Sequence, residues 1–164
     1  MRTKKLTVIS VLIASGLALG WIEAKIPAFG AIPGGKIGLA NITSLLSLYL
    51  FGLPTAFTVA LLRCGILSLI SGAPISFIYS GTGAVLIVLT MFFAKNILNN
   101  KVSAAGVSIL GAVSFNFGQT LVAAMVLGNI NVLRYLPVLC FISACSGGAT
   151  GLAANGILGA IKNV

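Results

Sequence analysis

The chain has 164 residues, 59% of them hydrophobic and 7% charged, with a net charge of +9 and a mean hydropathy of +1.16. A soluble domain carries about a quarter charged residues, so most of this surface must face lipid, and a polytopic membrane protein is expected. The basic residues punctuate apolar segments and form no single patch, which argues for a role in setting topology and against nucleic-acid binding. The sequence contains no His, no Asp and a single acid, Glu23. That excludes a Ser–His nucleophile, a pair of catalytic carboxylates and a metal site built from several acidic oxygens. Cys64, Cys140 and Cys145 lie inside apolar runs without metal-type spacing and read as packing residues. No catalytic set, no metal and no cofactor are therefore expected.

Breaks in hydrophobicity predict six helical spans within one membrane domain over 1–164: about 6–24, 37–52, 55–71, 75–94, 103–127 and 133–161. The opening "MRTKKLTVISVLIASGLALGW" resembles a signal peptide. Its apolar run continues past Trp21, however, so a retained first helix is the better reading. A Pro/Gly-rich loop follows at 25–36. It contains "GAIPGGKIG", close to a phosphate loop but with Ile37 where the Mg²⁺-binding hydroxyl belongs. With no Asp elsewhere to hold the metal, the nucleotide reading fails. Span two is short for a lone crossing, at roughly 17–25 residues needed, and should use part of the preceding loop.

Basic residues in the short loops predict the orientation. Arg2, Lys4, Lys5, Lys95, Lys101 and Lys162 fall on one side, against Lys25, Lys36 and Arg134 on the other. Both termini are therefore expected in the cytoplasm, with loop 25–36 outside.

The candidate site rests on polar residues inside spans. Arg63 stands near the middle of span three, where a charge costs at least ~2.5–3.5 kcal/mol and needs a partner. It either forms a long salt bridge with Glu23 or is left to meet an anionic or carbonyl-bearing ligand; spacing leaves both open. Asn116 and Gln119 share one face of span five, and Asn41 and Ser44 share one of span two. With Glu23 and Lys36 at the outer end, Asn41, Arg63, Asn116 and Gln119 could line one polar pocket between helices. In span one, Ala14 and Ala18 are four apart beside Gly16. Such a stripe serves either packing within the bundle or docking of another membrane protein.

Several blocks resemble a known family: "IEAKIP", "IPGGKIGLANITSLLSLYLFG", "LLRCGILSLISG", "SGTGAVL" and "VSILGAVSFNFGQTLVAA". From about residue 8 to 155 the chain is similar to the bacterial Gx transporter family, often labelled heptaprenyl diphosphate synthase component I. The Pro-Gly-x-Lys-x-Gly-Leu-Ala-Asn block at 33–41 is the most specific part. The resemblance implies a His ahead of the Asn-x-Gly-Gln run, where this chain has Phe115. It also implies likeness to the substrate-binding (S) components of energy-coupling factor transporters. Those are six-helix bundles with both termini inside, in the bacterial cytoplasmic membrane. On that likeness, loop 25–36 covers a small-molecule substrate, vitamin-like or a precursor. Ala14 and Ala18 dock a transmembrane coupling protein, and separate subunits hydrolyse ATP. The alternatives are a non-transporting membrane subunit of an isoprenoid, quinone or flavin-linked redox pathway, and a subunit of heptaprenyl diphosphate synthase. The absence of Asp-rich motifs disfavours the latter.

Overall fold

The computed structural model describes residues 2–25, 38–97 and 102–162. Lys36 and the motif at 30–38, apart from Gly38, lie outside the described residues. The described chain is helical: α1 (Arg2–Ala24), α2 (Asn41–Phe51), α3 (Leu53–Ile70), α4 (Ile75–Ile97), α5 (Ala104–Leu127) and α6 (Leu136–Lys162). A 3-10 turn over Ile130–Tyr135 leads into α6. These bounds differ from the expected ones by a few residues at most ends. The main difference is α2, which starts at Asn41 rather than about 37.

Local sequence accounts for the breaks. Gly52, at φ 84°, ends α2, and Pro54 sits in the first turn of α3, where its missing N–H has no role. Ser103 caps α5 by accepting a bond from the Gly106 amide, and Gly128 ends that helix in the left-handed conformation.

Among the described residues, five helical stretches are long and apolar enough to cross a membrane. The sixth helix, α2, is an 11-residue apolar helix, about 16 Å long at 1.5 Å per residue. Large apolar side chains stand exposed around the bundle, among them Leu69, Ile97, Met125 and Phe141, each at least 70% exposed. Such a belt fits hydrocarbon rather than water. The molecule is a multi-pass membrane-type helix bundle.

Close contacts show how the helices run. Gly16 and Gly20 of α1 face Arg63 and Leu67 of α3, so those two helices are parallel. Gly83 of α4 faces Phe115 and Gln119 of α5, while Gly111 faces Met91, so α4 and α5 are antiparallel. The tightest approach is between α5 and α6. A Cβ on Gly151 would lie 2.4 Å from the Cα of Ala105, so only glycine lets these backbones meet.

The short α2 is the centre of the bundle, with all five other helices packed against it. Seven of its eleven residues are buried, including Asn41, Thr43, Ser44 and Ser47. Its apolar face, Leu45 and Leu48, joins Val59, Ile87, Val88, Met91 and Val107 in a core with almost no exposed surface. A helix enclosed on all sides keeps its polar face dry, and this creates the site.

Candidate functional site: a buried guanidinium beside a closed cavity

Arg63 lies ten residues into α3, about 15 Å along the helix, and is only 3% exposed. Its Nη2 donates to the Asn41 side-chain oxygen of α2 at 3.0 Å. Thr43 and Ser47, neighbours of Asn41 on α2, satisfy their hydroxyls locally by donating to the Ala40 and Ser44 carbonyls. Arg63 Nη1, Asn41 Nδ2 and the Ser44 hydroxyl have no partner among the described residues. Each such buried group costs about 1–3 kcal/mol if left unsatisfied.

Glu23 closes the same region from α1. Its carboxylate accepts a hydrogen bond from the Gly38 amide, and the side chain is buried. Gly38 holds φ 90°, a conformation that strains any residue with a Cβ, and a Cβ there would meet Asn41 Nδ2 at 2.8 Å. The glycine therefore lets the chain descend from loop to helix directly over the Arg63–Asn41 pair. Glu23 and Arg63 make no ion pair among the described residues; each has turned to a neutral partner instead. Of the two arrangements that spacing left open for Arg63, the long salt bridge is not the one formed.

Between them lies a cavity of about 20 Å³ lined by Gly20, Glu23, Gly38, Ala40, Asn41, Arg63, Leu67 and Phe115. That is room for roughly one water molecule. It gathers one acid, one guanidinium and one amide, each from a different helix.

Three of the expected residues, Glu23, Asn41 and Arg63, thus converge. Asn116 and Gln119 are buried on α5 but do not line this cavity. The Gln119 side chain packs over Gly83 of α4, and both its amide atoms lack partners. On α5 the wall is formed by Phe115, the position where the family resemblance implies a His. Lys36 lies outside the described residues.

Ala14 and Ala18 are exposed, on the outward face of α1. The inward stripe is Leu12, Gly16, Gly20 and Glu23, all buried. A Cβ on Gly16 would meet Thr43 Oγ1 at 2.8 Å and Arg63 Cδ at 2.9 Å, so this glycine brings α1 against the polar cluster. Of the two roles spacing left open, packing in the bundle belongs to the glycines. Ala18 instead borders an outward apolar groove of about 260 Å³ with Leu17, Trp21, Leu67 and Ile70. Gly16, Gly20 and Gly38 escaped sequence reading as site residues. Leu12, Gly16, Gly20 and Glu23 do recur at helical spacing, but so do Ala14 and Ala18, so spacing does not choose between the two stripes.

Fold and site together define a membrane-type helix bundle with a small cavity between its helices, bordered by Glu23, Asn41 and Arg63. The profile of the heptaprenyl diphosphate synthase component I family matches residues 12–157. The chain belongs to that family, the one also called the Gx transporter family. Comparison with curated proteins and with solved structures found no match.

Proposed function

We propose that this chain is a substrate-capture subunit, the S component of an energy-coupling factor importer for a vitamin-like or precursor small molecule. One observation carries the reading: Arg63 and Asn41 keep unpartnered donors, nine-tenths buried, at a cavity closed from one side by Glu23 and Gly38. A buried guanidinium without an acid suits a ligand bearing an anionic or carbonyl oxygen, which would complete its hydrogen bonds. Glu23, Asn41, Arg63, Asn116 and Gln119 are the proposed substrate residues. Lys36 would be a cation at the pocket mouth.

In this reading six segments cross the bacterial cytoplasmic membrane, α2 with help from the residues before it, and both termini are cytoplasmic. The exposed Ala14–Ala18 face docks a transmembrane coupling protein, and separate ATPase subunits supply the energy. The chain is not itself an enzyme. The family's description names a synthase component, but a chain with one carboxylate and no His offers no acid–base pair and no cradle for Mg²⁺-diphosphate.

Native mass spectrometry of the gently purified chain, paired with tagged pull-down from its host, tests this. A retained small molecule lost in Arg63→Met, together with recovery of a coupling protein and ATPases, is the expected result. A chain that retains nothing and brings down no such complex would overturn it.

A further inference from the structure

A second and larger cavity, of about 600 Å³, opens at the end of the bundle opposite Glu23. It lies among the last turns of α2, α4 and α6 and the first of α5, and its volume is within the usual ~300–1,000 Å³ of a ligand site. Its polar wall is Tyr49, Lys95, Asn96 and Asn155, and its apolar wall includes Leu158 and Ile161.

Lys95 is half-buried and makes no ion pair among the described residues. Its ammonium sits 4.5 Å from the centre of the Tyr49 ring and 3.4 Å from the Leu48 carbonyl, both neutral groups. The α4 C-terminus offsets only about half a charge. The single acidic side chain, Glu23, is at the far end of the bundle. Lys4 and Lys5 start α1 at this same end, with the Lys5 ammonium 5.5 Å from the Phe51 ring. The cavity is thus a positive, partly apolar recess beside exposed hydrocarbon-facing side chains such as Ile97 and Ile161.

We propose that this recess binds the headgroup of an anionic phospholipid. Lys95 takes the phosphate, Asn96 and Asn155 bond the headgroup oxygens, and an acyl chain leaves along Leu158 and Ile161 into the bilayer. A soluble anion would use the lysine but leave the apolar wall facing water, whereas an amphiphile covers both. The site is separate from the Glu23–Arg63 cavity and stands whether or not that cavity binds a transported substrate.

The test is native mass spectrometry of the full chain in detergent, offered an equal mixture of phosphatidylglycerol and phosphatidylethanolamine. Phosphatidylglycerol is expected to be preferred by about fivefold, the ratio one lysine near an anionic surface supplies. Lys95→Gln should bring the ratio to parity. Gly159→Phe should block both lipids, because Gly159 lines the recess with open space where its Cβ would be. Unchanged melting of Gly159→Phe separates blockage from misfolding. Equal retention of the two lipids by the unmodified chain would overturn the proposal, as would a preference that survives Lys95→Gln. Complete displacement of the lipid by excess inorganic phosphate would also overturn it, marking a site for free anions.

Discussion

Arg63 shows how one residue can be costly for the fold and useful for the site. Placing a guanidinium at mid-helix costs at least ~2.5–3.5 kcal/mol. The hydrogen bond from the charged guanidinium to the Asn41 amide returns only about 1.5–3 kcal/mol, as bonds to charged groups do. Arg63→Met keeps the length of the side chain and removes both the charge and its unpartnered donor. The expected outcome is a melting temperature in detergent that is unchanged or higher, with ligand retention and uptake lost. A large drop in melting temperature with uptake intact would instead make Arg63 a structural residue. Phe115 belongs to the same scale, since an aromatic ring in the wall adds contact area but no hydrogen-bonding group.

At the scale of elements, α1 has two faces that look alike in sequence and differ in burial. Gly16 and Gly20 press against α2 and α3, while Ala14 and Ala18 face outward. Gly16→Leu places carbon where Thr43 and Arg63 already sit. It should destabilise the isolated chain by about 1–3 kcal/mol, the usual cost of overpacking, read as a lower melting temperature. Ala14→Leu with Ala18→Leu should leave melting unchanged and abolish recovery of the coupling protein in pull-down. If the alanine pair lowers stability as much as the glycine does, the outward face is not a docking surface. The same reasoning explains α2. Its serines, threonine and asparagine would be poor neighbours for lipid, and enclosure by five helices removes that conflict.

For the whole molecule, aromatic and basic side chains pair near both ends of the bundle. Lys25 stands 4.7 Å from the Trp21 ring at one end, and Lys95 covers Tyr49 at the other. Such pairs anchor a bundle at its two water interfaces. The basic excess at the end holding Arg2, Lys4, Lys5 and Lys95 predicts where the termini lie. Reporter fusions at the N- and C-termini should both report the cytoplasm, and opposite sides would require an odd number of crossings. The structure alone supplies five helices of crossing length, so this measurement also decides whether α2 completes a sixth.

Composition alone determined that this is a lipid-embedded helix bundle, because 59% hydrophobic residues with 7% charged leave no other solvent for the surface. The helices were legible to within a few residues, since apolar runs broken by Gly, Pro and polar clusters map directly onto helices and turns. Glu23, Asn41 and Arg63 stood out for the same reason: polar groups are conspicuous in apolar runs. What sequence could not decide was rotation about each helix axis. Ala14 and Gly16 are two residues apart, and so point to different sides, yet only packing showed which side met Arg63. Likewise Asn116 and Phe115 are adjacent, and the tertiary structure put the ring rather than the amide in the cavity wall. In a helix hydrophobic on every face, periodicity carries little information about direction. Contacts between helices decided the inward face, and with it the site.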